Sequence, residues 1–154
     1  MRIASEIAGL SSERLRAMLA GLPDARGFRV VARPLKYRER PHLAAWTDLD
    51  RRLIVLQLPE PFLPFGEVVE YGARRRPGKG LRFVWLTEGV TFQTPRQVAR
   101  FLYLHEWMHM YLVTTSGRGR FAETTCDRFA LRGYLRRRVT IVHAQEALRR
   151  AKWS

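Results

Sequence analysis

Two histidines four residues apart, His105 and His109, sit inside the largely apolar run Phe101–Leu112 with Glu106 and Trp107 between them. On an α-helix, residues four apart lie one turn above each other on the same face. Both imidazoles can then face one metal ion. Glu106 is offset by one residue, so its carboxylate flanks that point instead of filling it. A carboxylate so placed can take a proton from a water whose pKa a metal has lowered towards neutrality. This chemistry requires a helix here, and a helix largely buried, which in turn requires the rest of the chain to wrap it.

The flanking residues supply that helix. Thr94, Pro95 and Gln97 read as a helix start: Thr94 as N-cap, Pro95 at the first helical position and Gln97 reaching back. Val98, Phe101, Leu102, His105, Met108, His109 and Leu112 follow at steps of three and four. Leu104, Trp107 and Tyr111 lie off that stripe, so the helix is expected to be buried on most sides. Gly117 is the expected stop.

A catalytic zinc takes three protein ligands and keeps one position open. The next segment, Phe121 to about Arg138, also reads as a helix. Glu123 and Asp127 share a face of it, four residues apart. Glu123 is the expected third ligand. Asp127, one turn on, is placed to accept the far N–H of His105 or His109, which fixes the tautomer of a ligating histidine and raises its basicity. The bland alternative is a solvated face shared with Arg128 and Arg132. Cys126 is near the same face, and its contact with the metal stays open.

With His105, Glu106, His109, Glu123 and Asp127 in this order, the chain resembles the gluzincin arrangement of the thermolysin-type zinc metallopeptidases. The short stretch Glu123–Ala130 is closest to the minimal ImmA/IrrE-like group. The resemblance covers about residues 94–131. It implies that His105, His109 and Glu123 bind zinc, that Glu106 is the general base, and that the protein hydrolyses peptide bonds. The departure is Cys126, where that group more often has a small aliphatic residue. Nothing similar to the helix-turn-helix or sensor domains often attached to that group is seen. The SprT-like DNA-associated proteases share the H-E-x-x-H pattern, but their third histidine has no counterpart after His109.

The chain has 154 residues, enough for one domain (residues 1–154) with a proper core. Before the central helix come a short helix opened at Ser11 or Ser12, a strand at Phe28–Leu35, a hairpin at Leu43–Thr47 and Arg51–Leu58, and a second strand pair at Gly66–Tyr71 and Leu81–Leu86. A helix capped by Thr140 closes the chain. Strands first and helices afterwards predict an α+β fold: a small twisted, mainly antiparallel sheet packed on the active-site helix with two or three further helices, zincin-like and minimal. Leu81–Leu86 is a candidate edge strand onto which a peptide substrate adds. A single cysteine excludes an internal disulfide and suits a reducing cytoplasm. No secretory leader and no membrane-length apolar run are read from the sequence.

The net charge of +14 implies anionic partners or a strong solubility field. Arg74, Arg75, Arg76 and Lys79 form a compact basic turn between two expected strands, a candidate nucleic-acid contact. The alternative function is therefore a basic, nucleic-acid-associated protein, either a DNA-linked protease or an inactive zincin-fold binding module. Tyr134 and His143 are candidates for stabilising an oxyanion at the open side of the metal.

Overall fold

The computed structural model describes residues 1–75, 83–116 and 123–151. The fold is α+β. Strand β1 (Arg2–Ser5) leads to helix α1 (Ser12–Met18) and strand β2 (Arg29–Leu35). Strands β3 (Ala44–Asp48) and β4 (Leu53–Pro59) form the expected hairpin. Strands β5 (Phe65–Arg75) and β6 (Phe83–Phe92) form a separate antiparallel ribbon. Helices α2 (Pro95–Ser116), α3 (Glu123–Gly133) and α4 (Ile141–Ala151) follow.

The main sheet has the order β1-β2-β4-β3, and it is mixed where a mainly antiparallel one was expected. The β1–β2 and β2–β4 pairs are parallel, and only β3–β4 is antiparallel. The chain leaves β2, passes the neighbouring slot to lay down β3 at the outer edge, and turns back to fill that slot with β4. Hairpins have a local turn signature, whereas parallel pairs depend on long crossovers. Strand β1 escaped the sequence reading because it has four residues, of which only Ile3 is buried.

Period-two alternation gives the sheet two unlike faces. Ile3, Val30, Ala32, Ile54, Leu56 and Leu58 point to the helices and join the main core. Val31, Leu53 and Val55 point the other way and form a small apolar group of their own.

Helix α2 starts as its sequence demands. The Thr94 hydroxyl accepts the Gln97 N–H at 3.3 Å, while the Gln97 amide oxygen accepts the Gln93 N–H at 2.7 Å. The helix is buried through Val98, Phe101, Leu102, Tyr103, Leu104, Trp107, Met108 and Leu112. Its polar groups at Arg100, Tyr103 and Trp107 all reach for carbonyls of the segment after α1. Tyr103 donates its hydroxyl to Pro23 O, and Trp107 donates its indole N–H to Asp24 O at 3.0 Å. Burial, with Asp24 adding to it, pushes the Tyr103 phenol well above its ordinary pKa, so it stays a donor.

Arg100 is the strongest of these ties. It is 3% exposed and donates to Met18 O, Ala20 O, Tyr134 O and Arg136 O. One guanidinium thus satisfies the carbonyl ends of α1 and α3. Gly21 lies in the same knot with φ +83, and a side chain there would strike the Arg137 carbonyl. Arg100→Ala should lower unfolding free energy by about 3–5 kcal/mol, because it strands several buried acceptors at once. Chemical denaturation checks this; a loss under about 1 kcal/mol would mean that water replaces the guanidinium without cost.

Candidate metal centre

Helix α2 presents His105 and His109 towards α3, where Glu123 opens the helix. The His105 and His109 Nε2 atoms lie 3.1 Å apart. Glu123 Oε2 is 3.1 Å from His105 Nε2, and Glu123 Oε1 is 2.7 Å from His109 Nε2. Two ligands about 2.0–2.1 Å from a shared tetrahedral ion stand roughly 3.3 Å apart. The three donor atoms therefore converge with close to the spacing one small ion requires. Among the described residues, His105, His109 and Glu123 are the group of His, Cys, Asp or Glu side chains so gathered. The donor chemistry, two imidazoles and a carboxylate, fits zinc and leaves a fourth position.

Asp127 lies behind His105, its Oδ1 2.7 Å from His105 Nδ1. That carboxylate accepts the Nδ1 proton, so Nε2 is the nitrogen that faces Glu123 and His109. Glu106 is 6% exposed and lies on the side of α2 that meets β3. Its Oε2 accepts the Thr47 hydroxyl at 2.6 Å. An open cleft of about 410 Å³ runs past Glu106, His109 and Glu123 and is walled by Ala45, Trp46 and Thr47 of β3.

Burial alone would lower the His105 pKa, but hydrogen bonds to Asp127 and Glu123, with the Glu106 charge nearby, raise it to about 10. The hydrogen bond from His105, supported by the charge of both histidines, lowers Glu123 to about 2 against a smaller desolvation effect. A raised His105 pKa stabilises the fold fully below the unfolded value near 6.5, and that stability is lost as pH rises through about 10. The metal-free protein should therefore lose melting temperature across that window, and bound zinc should remove the slope by taking the proton's place. Thermal scans of metal-free, zinc-loaded and Asp127→Asn protein decide this: the same slope in all three would assign it to other groups.

Cys126 is fully buried one turn into α3 and does not belong to the converging set. Burial, followed by the charges of Glu123, Glu106 and Asp127, pushes its thiol pKa far up.

The two residues expected to face the open side of the site lie elsewhere. Tyr134 is buried in an aromatic group with Phe92 and Phe101, ring centroids 5.7 and 5.6 Å away. It follows Gly133, the last residue of α3, and is not among the residues that line the cleft. His143 caps α4: its Nδ1 accepts the Thr140 N–H at 2.9 Å. It lines a small cavity with Phe129 and Glu146 on the α3–α4 side. Short helix-start geometry and core packing claimed both residues.

The expected edge strand is an outer strand, but of the separate ribbon and not beside the cleft. Strand β6 pairs with β5 in the ribbon, and Leu81 and Arg82 lie outside the described residues. The strand beside the cleft is β3, the outer strand of the main sheet. Thr47 was missed because a threonine in a hairpin strand has no local mark of what it meets. Of the basic turn, Arg74 is exposed on β5, while Arg76 and Lys79 lie outside the described residues, as does the side chain of Arg75.

No protein-family model, curated protein or solved structure matches the chain.

Proposed function

We propose that this protein is a zinc-dependent peptidase of the gluzincin type, with His105, His109 and Glu123 as metal ligands and Glu106 as general base. The observation that carries the reading is the convergence of the three donor atoms beside an intact, buried Glu106 in an open cleft. A structural metal site has no use for such a base. Zinc held by this set would supply Lewis acidity, lowering the pKa of water and polarising a carbonyl.

The chain's own residues do the rest. Glu106 takes the proton from the attacking water and delivers it to the leaving amine. Thr47 holds the Glu106 carboxylate by donating its hydroxyl to Oε2, so one oxygen is fixed and the other is left to work. Asp127 holds the His105 ring by its Nδ1. The outer edge of β3 runs along the cleft, and an extended peptide that adds to it as a further strand lays its backbone across Glu106 and the ligands. Protein or peptide is accordingly the substrate class.

No helix among the described residues is long and apolar enough to cross a membrane. The single thiol, buried and free, suits a reducing compartment such as the cytoplasm. The test is metal content of protein purified without added metal, together with cleavage of a quenched-fluorescence peptide library. One zinc per chain and chelator-sensitive cleavage support the reading. A metal-loaded protein that cleaves no peptide in the library, with Glu106 intact, would favour an inactive binding module.

A further inference from the structure

Among the described residues the main sheet carries helices on one face alone, and its other face is basic. Register sets Arg2, Arg29 and Leu53 side by side there, followed by Ala4, Val31 and Val55, then Arg33 and Gln57. Strand β3 adds Trp46 directly beside Val55. Val31 and Val55 are 3% and 0% exposed, with no helix on this side among the described residues. Long arginine stems cover such an apolar strip while their charged heads stay in water.

Three features of this face point to a polyanion with flat bases. The first is like charge at close range. Arg2 and Arg29 are neighbours in register, about 4.8 Å apart across the strands, an arrangement that repels unless an anion lies between. Arg52 joins them, its carbonyl accepting the Arg29 N–H at 2.9 Å. Arg2, Arg29 and Arg52 are exposed and make no ion pair among the described residues, whereas Arg33 pairs with Glu6 and Arg51 with Asp48. The second is the backbone of Arg52, which sits at φ 51, where glycine or asparagine is the ordinary choice. That conformation sets the Arg52 guanidinium at the rim of an open hollow that Arg2 and Arg29 also line. The third is Trp46, 41% exposed, with the Arg33 guanidinium 5.9 Å from its ring centroid. Exposed aromatics beside a basic track are what single-stranded nucleic acids stack upon.

We infer that the helix-free face of the main sheet binds single-stranded nucleic acid, with phosphates on Arg2, Arg29 and Arg52 and a base stacked on Trp46. A free phosphate would fill the hollow and leave Trp46, across the sheet on β3, without a role. A membrane surface needs aliphatic side chains to insert, and those of this face are buried. The site borders the metal cleft through β3: Thr47 turns to Glu106, while Trp46 lies beside Val55 at the outer edge of the sheet and also touches the rim of the cleft.

Fluorescence anisotropy with a labelled oligo-dT of about twenty nucleotides tests this with the full chain. Arg2→Ser/Arg29→Ser/Arg52→Ser should weaken binding at least tenfold at about 0.1 M salt. It should also flatten the log–log salt slope by about 2, three contacts at roughly 0.7 each for a single strand. Trp46→Ala should weaken binding about tenfold and leave the slope alone. The control Arg136→Ser/Arg137→Ser/Arg138→Ser removes the same charge from another exposed segment and should cost less than threefold. If the triple variant on the sheet fails to fold, Arg2→Glu alone, at the exposed start of β1, should still cost at least fivefold. Equal losses in the two triple variants, or full affinity in Trp46→Ala, overturn the inference. So does a blunt duplex bound more tightly than the single strand. Vesicles rich in phosphatidylserine should bind weakly and indifferently to Trp46→Ala; if the sheet variant loses vesicles but keeps oligo-dT, the face belongs to a membrane instead.

Discussion

Glu106→Gln should keep the fold and the bound zinc but cut peptide hydrolysis by about 10³-fold or more, at or above the middle of the range for loss of a general base. Glutamine is nearly the same size and still accepts the Thr47 hydroxyl, which donates to Glu106 Oε2 at 2.6 Å. It cannot take a proton from water at neutral pH. The defect should appear in kcat more than in KM, because the lost interaction is made in the transition state. Melting temperature and metal content, measured on the same preparations, separate this from unfolding. A Glu106→Gln protein that cleaves at near wild-type rate would remove Glu106 from the mechanism.

The second large effect is on the metal itself. His105→Ala, His109→Ala and Glu123→Ala each delete one of three converging donors. Each should lower zinc affinity by more than about a hundredfold, beyond the 10–100-fold that removing an outer hydrogen-bonding partner costs. Asp127→Asn, which changes the group 2.7 Å from His105 Nδ1, should fall inside that lower range. Competition with a chromophoric chelator reads all four. Glu123 is the most informative, because its side chain is the most exposed of the three ligand candidates. If Glu123→Ala holds zinc as tightly as the unaltered chain, the third ligand is another group and the catalytic geometry must be redrawn.

Much of this site is legible in the chain itself, because helical spacing is a local rule. His105 and His109 share a face by their separation alone, and so do Glu123 and Asp127. The Thr94–Gln97 start and the β3–β4 hairpin are likewise written in adjacent residues. Tertiary structure decided what depends on partners far apart in sequence. It set α3 against α2 so that Glu123 reaches both histidines, and it placed Thr47 on Glu106 from 59 residues away. It buried Tyr134 among aromatics and spent His143 on a helix cap, roles that spacing cannot distinguish from a place in the cleft. It paired β1 with β2 and β2 with β4 in parallel, through crossovers that have no local signature. It also spread the arginines of β1, β2 and the β4 turn into one row, where the sequence drew notice to the compact run after Arg74. Spacing along one helix is set by the backbone's own hydrogen bonds, whereas contact between elements is set by which apolar faces bury each other best. That second choice needs the whole chain at once.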